Sequence, residues 1–280
     1  MKTKKESLGL RFLYNTVVGR VCLKLVASRW VSKTVGAFMD SRLSKPLIKR
    51  FVKKNGISLD DFYSDSFKCF NDCFTRKIKE GKRIINNDEK AFIAPCDALL
   101  SAYKIDTDTR LNIKGSEYTI SEIFENEELG EKYLGGTALV FRLCVNHYHR
   151  YIYLDNCTKE ENHFIKGKLH TVRPIALEAL PVFKRNCREY TVLHTENFGD
   201  VTQMEVGALL VGKIANLHGA GTFNRGEEKG MFLYGGSTIV VFLERGKAEI
   251  ESKYFEATAN GEETDVVMGM RLGVKVEKDV

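Results

Sequence analysis

No uncharged stretch of this 280-residue chain runs longer than the 14 residues from Gly230 to Leu243, and that one carries Gly-Gly-Ser-Thr in its middle. A membrane-spanning helix wants roughly 20 apolar residues, so none is expected. A secretory leader is not expected either, because Arg11, Arg20 and Lys24 interrupt the apolar start before an uncharged core can form. The chain is therefore expected to stay inside the cell. Its seven cysteines (Cys22, Cys69, Cys73, Cys96, Cys144, Cys157 and Cys187) are odd in number and lack the paired spacing of a disulfide framework. Free thiols are the expectation. Cys69 and Cys73 can share one helix face, but no second close pair completes a zinc site, so no metal is expected there. Internal repeats and low-complexity linkers are absent too. Hydrophobic residues make up 43% and charged residues 29%, which excludes disordered, collagenous and coiled-coil classes.

The net charge of +6 is unevenly spread. Residues 1 to 60 hold 14 Lys or Arg against Glu6, Asp40 and Asp60, so the rest of the chain is net acidic. Within this basic region Leu10, Leu13, Val17, Val21 and Leu25 recur at steps of three and four, tracing one helical stripe, with Arg20, Lys24, Arg29 and Lys33 beside it. Such a helix suits an anionic membrane surface, where each nearby cation adds about 1 kcal/mol. Packing of the stripe on its own domain is the alternative. No nucleic-acid partner is expected.

The first 60 residues read as helices ending near Asn55-Gly56, an appendage rather than an independent domain, and residues 59 to 80 read as a further helical stretch. From Ala91 the texture changes. Segments 91–105, 137–148, 163–173, 190–196, 201–214, 230–235 and 238–244 are rich in Val, Ile, Leu, Phe and Tyr and bounded by Gly, Asn or Asp, which predicts strands. Helices interrupt them only at 120–127 and 175–182, so consecutive strands should be antiparallel neighbours. The expected class is α+β, with a mainly antiparallel β-sandwich or barrel-like core, amphipathic N-terminal helices, and a catalytic domain over 61–280.

Two glycines at 235 and 236 sit oddly between apolar segments, since glycine weakens strands and often marks a bulge or a close backbone approach. A serine after glycine can do something further. The Ser237 hydroxyl can attack the Gly236 carbonyl, where no Cβ crowds the approach, turning the peptide into an ester. Elimination then leaves dehydroalanine, which hydrolyses to a pyruvoyl group capping residues 237–280. A serine-hydrolase elbow is disfavoured because Ile239 stands where Gly-x-Ser-x-Gly needs glycine.

His147-Tyr148-His149-Arg150 ends a predicted strand, which would put both histidines on one face as metal ligands or as a general base with a helper. His163 or His170 are the available third ligands. Asp97 falls in the apolar stretch 91–103, where a lone carboxylate is costly to bury, so it either orients a histidine or occupies a turn after Pro95.

Taken in order, Phe74-Thr75-Arg76-Lys77, Ala94-Pro95-Cys96-Asp97, Ile113-Lys114-Gly115 with Tyr118, Tyr148-His149-Arg150, Asn186-x-Arg188, Val206-Gly207-Ala208 to Val211-Gly212, Gly226-Glu227-Glu228 and Gly236-Ser237-Thr238 resemble phosphatidylserine decarboxylase proenzymes over residues 57–250. The resemblance implies self-cleavage between Gly236 and Ser237 into a β chain 1–236 and an α chain beginning with a pyruvoyl group at 237. It also maps the family's charge relay onto Asp97 and Ser237. Many members carry Tyr-His-Arg-x-His, but Ile152 stands here in the second histidine's place, leaving His149 or His170 as the base. Ala98 and Cys187 are two smaller departures. The reaction that the resemblance implies is decarboxylation of phosphatidylserine through a Schiff base on the pyruvoyl carbonyl, without metal. A peripheral position on the cytoplasmic face of the membrane and a possible homodimer are implied as well. The other readings are a metal-dependent hydrolase using His147 and His149, and a non-enzymatic membrane-binding module.

Overall fold

The second half of the longest uncharged segment becomes the middle of a sheet. In the computed structural model, which describes residues 12, 16, 18–19, 22, 29–63, 66–105, 110–113, 116–167, 186–207, 214–234 and 237–277, Ser237–Leu243 forms strand β14. It pairs on one side with β10 (Gly199–Val206) and on the other with β5 (Thr137–Leu143), so its Val and Ile side chains are buried on both faces. β2 (Ala98–Lys104) follows β5, and β16 (Thr264–Val266) closes that edge. Beyond β10 come β9 (Arg188–Thr195), β7 (Cys157–Lys159) and β12 (Gly221–Phe223), with β8 (His163–Ile165) also paired to β9. The path does not close on itself, so of the sandwich and the barrel, the sandwich describes the core.

One face of this sheet supplies Leu100, Phe141, Val201, Ile239 and Val241 to the larger core. Two three-stranded sheets cover that face. One is β1 (Ala91–Ile93), β17 (Arg271–Lys275) and β15 (Ala248–Ile250); the other is β11 (Ile214–Asn216), β13 (Glu228–Phe232) and β6 (Arg150–Ile152). The opposite face presents Val140, Met204, Val240 and Phe242 to helices. There α4 (Ile120–Phe124) starts at a capping box: Glu122 N donates to Thr119 Oγ1 and Thr119 N to Glu122 Oε2. α5 (Glu127–Lys132) follows, capped by Asn126. β3 (Arg110–Ile113) and β4 (Ser116–Thr119) form a separate hairpin, and α6 (Ser252–Ala259) precedes β16. Among the described residues the strand pairings are all antiparallel, where a mainly antiparallel core was predicted.

At the N-terminal side lie α1 (Arg29–Asp40) and α2 (Pro46–Asn55). α2 ends where predicted, at Gly56, whose φ of 62° is the left-handed conformation that glycine adopts without strain. The expected helix over 59–80 is not formed. Phe62 bridges Ile78, and among the described residues of this stretch only α3 (Phe70–Phe74) is helical, because an extended entry at Cys69 and the tertiary contacts of Phe70 and Phe74 with Phe51, Tyr234 and His149 override local propensity. The 91–105 segment is two strands broken at Pro95–Asp97. The strand from 137 stops at Leu143. His147 therefore lies in a turn, its N–H donating to Cys144 O at 2.9 Å, and the expected common strand face for His147 and His149 does not exist. The predicted helix 175–182, the strand beyond residue 167, His170, Arg20, Lys24, the stripe from Leu10 to Leu25 and Gly236 lie outside the described residues. Arg29 and Lys33 are on α1.

Candidate active site

Sheet register brings two sequence-distant candidates to one place. Asp97 immediately precedes β2, whose Leu99 lies opposite Arg142 of β5, while Ser237 opens β14 opposite Leu143 of β5. The two backbones flank the same end of β5. With neighbouring strands about 4.8 Å apart, they stand roughly 10 Å from each other. The Cys144–His147 turn leaves the sheet from this end of β5.

The two histidines are held differently. Cys144 N donates to His147 Nδ1 at 3.2 Å, so in the neutral ring the proton sits on Nε2. Burial pulls the His147 pKa down, partly offset by the charge of Asp97. His149 has the opposite tautomer. Its Nδ1 lies 2.9 Å from the carbonyl oxygen of His147, which can only accept, so Nδ1 carries the hydrogen and Nε2 a lone pair. That Nε2 is buried without a hydrogen-bond partner among the described residues. Burial first, then the charges of Arg76 and His147, hold the ring well below the usual imidazole range and therefore neutral. Phe74 covers it at a centroid distance of 3.9 Å.

Arg76 is buried, donating from Nη2 to Asn146 O at 3.1 Å and to His147 O at 3.2 Å, with its guanidinium over Phe62. Arg150 donates from Nε to Thr75 O at 2.8 Å and from Nη1 to Glu228 Oε1 at 2.5 Å. Three of the short motifs, 74–77, 148–150 and 226–228, are thus one hydrogen-bonded unit. Two further motifs are joined elsewhere. Asn186 Nδ2 donates to Gly207 O at 2.7 Å, and Arg188 ties Asn186 O to the carbonyls of Glu122 and Ile123.

Asp97 is buried, and its carboxylate takes Arg83 through Nε at 3.0 Å and Nη2 at 2.6 Å, plus Met268 N at 2.9 Å. Among the described residues its hydrogen bonds go to these groups and not to a histidine. Nothing in the spacing pointed to Arg83, fourteen residues upstream. Ile152 lines a cleft of about 220 Å³ with Lys77, Tyr148, Arg150, Glu228 and Met268. Its hydrocarbon side chain can neither accept nor donate a proton there.

The chain entering the Gly235–Gly236 step is fixed on the His149 side. Phe232 N donates to His149 O at 2.9 Å, Tyr234 N donates to Asn71 Oδ1 at 2.9 Å, and the Tyr234 ring packs against Phe70 and Phe74. The same short helix anchors the basic region: Phe70 N donates to Ser44 Oγ, Asn71 Nδ2 to Asp40 Oδ1, and Phe51 of α2 meets Phe70 edge-on at 4.9 Å. For a hydrolytic metal, the two Nδ1 atoms are already engaged by backbone, and no group of three metal-binding side chains converges among the described residues.

Comparison with known proteins adds to this geometry. The phosphatidylserine decarboxylase family profile matches residues 70–274. The chain is 42% identical over 265 residues to phosphatidylserine decarboxylase proenzyme 2 of Clostridium acetobutylicum, covering 94% of this chain and 91% of that one. It is 39% identical over 274 residues to the phosphatidylserine decarboxylase proenzyme of Clostridium kluyveri (96% and 93%). With the Ruminiclostridium cellulolyticum proenzyme it shares 39% identity over 275 residues (96% and 92%).

Proposed function

Because the chain belongs to the phosphatidylserine decarboxylase family, we propose that it converts phosphatidylserine to phosphatidylethanolamine and CO2 with a pyruvoyl group made from its own Ser237. The observation that carries the reading is the buried, unpartnered Nε2 of His149 beside the strand that leads into Gly235-Gly236-Ser237.

In the proposed maturation His149 accepts the Ser237 hydroxyl proton at Nε2. The serine oxygen bonds to the Gly236 carbonyl carbon as the Gly236–Ser237 C–N bond breaks, and the freed amine takes up a proton. Loss of the Ser237 α-proton with cleavage of the Cβ–O bond releases the Gly236 carboxylate and leaves dehydroalanine. Water hydrolyses the derived imine to the keto group and ammonia. His147 O orients the base, and Phe74 keeps bulk water from it. His170 is the alternative base.

The fold suits such a cut. β14 is flanked by β10 and β5 and β17 by β1 and β15, so the chain from 237 onward stays stitched into two sheets, while Tyr234 remains tied to Asn71 on the other side. Once formed, the pyruvoyl group supplies an electron sink for the charge left when CO2 departs. The protein's own part is to hold the carboxyl-bearing headgroup there, exclude water, and return a proton, for which His149 is the proposed donor.

Residues 1–60 are proposed as the membrane-associating region on the cytoplasmic face, and 61–280 as the catalytic domain. Leu43 and Leu47 are exposed among Arg42, Lys45, Lys49 and Arg50, as interfacial insertion requires, and α2 packs directly on α3 beside the site. No described helix is long and apolar enough to cross a membrane. The test is release of labelled CO2 from carboxyl-labelled phosphatidylserine in anionic mixed micelles. The wild-type protein is expected to release it and Ser237→Ala is not; equal release from both would reject the proposal.

A further inference from the structure

Arg76 is an odd residue to bury. It is 2% exposed, its hydrogen bonds go to the carbonyls of Phe74, Asn146 and His147, and no carboxylate pairs with it among the described residues. A buried cation without an anion is costly, and burial accordingly pulls its own pKa down. Its placement suggests what the cost supports. The carbonyl of His147 receives both Arg76 Nη2 and the Nδ1–H of His149. Sharing that oxygen with a guanidinium weakens its hold on the imidazole proton, and the positive charge itself opposes a second proton on the ring.

We propose that Arg76 is a positioning residue for His149, gripping the carbonyl that orients the imidazole and keeping the ring in its neutral, proton-accepting form with the lone pair on Nε2. This rests on the reading of His149 as the base for self-cleavage. The other described groups around the ring do not compete for this role. Phe74 covers one face; beyond it, burial pushes the Cys73 thiol up to about 11 and raises the Tyr234 phenol, so both are neutral at physiological pH. His147 adds a smaller effect of the same sign as Arg76.

The test uses uncut Ser237→Ala precursor with 15N-labelled histidine, in which the His149 titration is followed by NMR, alongside the pH profile of self-cleavage in chains that keep Ser237. With Arg76→Gln, the His149 midpoint is expected to rise by about one pH unit or more, the size of one neighbouring charge, and the acid limb of the cleavage profile to move up with it. Arg76→Lys, which keeps the charge, is expected to hold the midpoint low. An unchanged midpoint in Arg76→Gln, with cleavage slowed equally at every pH, would show a merely structural role and overturn the proposal. If Arg76→Gln does not fold, Arg76→Lys carries the test: a midpoint that climbs into the ordinary histidine range despite the retained charge overturns it. His149→Gln separates the two readings. Cleavage at wild-type rate in that variant rejects His149 as the base, while the NMR titration still reports on Arg76.

Discussion

Replacing Lys229 with methionine probes a fully buried charge pair that joins the sheet carrying Ser237 to the three-stranded sheet packed on it. Lys229 on β13 and Glu205 on β10 are both fully buried, with Nζ 2.8 Å from Oε1. Lys229 also donates to Asn216 Oδ1 at 3.0 Å, and Glu205 accepts from Gln203 Nε2 at 2.9 Å and Asn216 Nδ2 at 3.2 Å. At an effective dielectric near 20, the pair's attraction at that distance is about 6 kcal/mol, and desolvation of the two ions takes back several kcal/mol. Methionine fills the lysine stem's volume but leaves a buried carboxylate with only amide donors, for an expected loss of about 3–5 kcal/mol. Lys229→Met with Glu205→Gln removes both charges and is expected to regain most of that loss. Urea unfolding in the Ser237→Ala background, where the chain is expected to stay whole, measures both. The reasoning fails if Lys229→Met costs less than about 1 kcal/mol, or if the double variant is no more stable than the single.

Two further perturbations target individual contacts. Phe74→Ala opens a void over His149 and is expected to cost about 3–5 kcal/mol; water reaching the ring should also raise its midpoint toward the ordinary histidine value, readable in the same NMR titration. His194 sits between Asp200 Oδ1 at 2.7 Å and Glu160 Oε1 at 3.0 Å, and the hydrogen bond to Asp200 leads in raising its pKa. A folded-state pKa above the unfolded one stabilises fully below the unfolded value and is lost as pH rises through the folded value. His194→Gln should therefore lower stability near about pH 5.5 and leave it unchanged near about pH 9; an equal loss at both would contradict the ion-pair reading.

Much of the sheet was legible because its long strands are apolar runs bounded by turn residues: β9, β13 and β14 fall within two or three residues of the predicted segments, whereas β10 begins two residues before its predicted segment 201–214 and ends at Val206, eight residues before that segment does. The three-residue strands β7, β11, β12, β15 and β16 were not, since three residues carry no periodicity and are held by their neighbours in the sheet. The helix expected over 59–80 failed because Phe70 and Phe74 serve contacts with Phe51, Tyr234 and His149, not a helical stripe. At the site, residue types were readable and partners were not. Asp97 stood out as a carboxylate in an apolar segment, yet its partner Arg83 came from a separate loop. His147 and His149 looked equivalent in a strand, whereas a turn after Leu143 gives them opposite tautomers and different neighbours.

The most direct measurement is the intact mass of the purified wild-type protein. Two chains are predicted, residues 1–236 and residues 237–280, the shorter one lacking a free N-terminal amine and bearing a carbonyl that reacts with hydrazide reagents. A single 31.8 kDa chain that keeps Ser237 unmodified while decarboxylating phosphatidylserine would contradict the account.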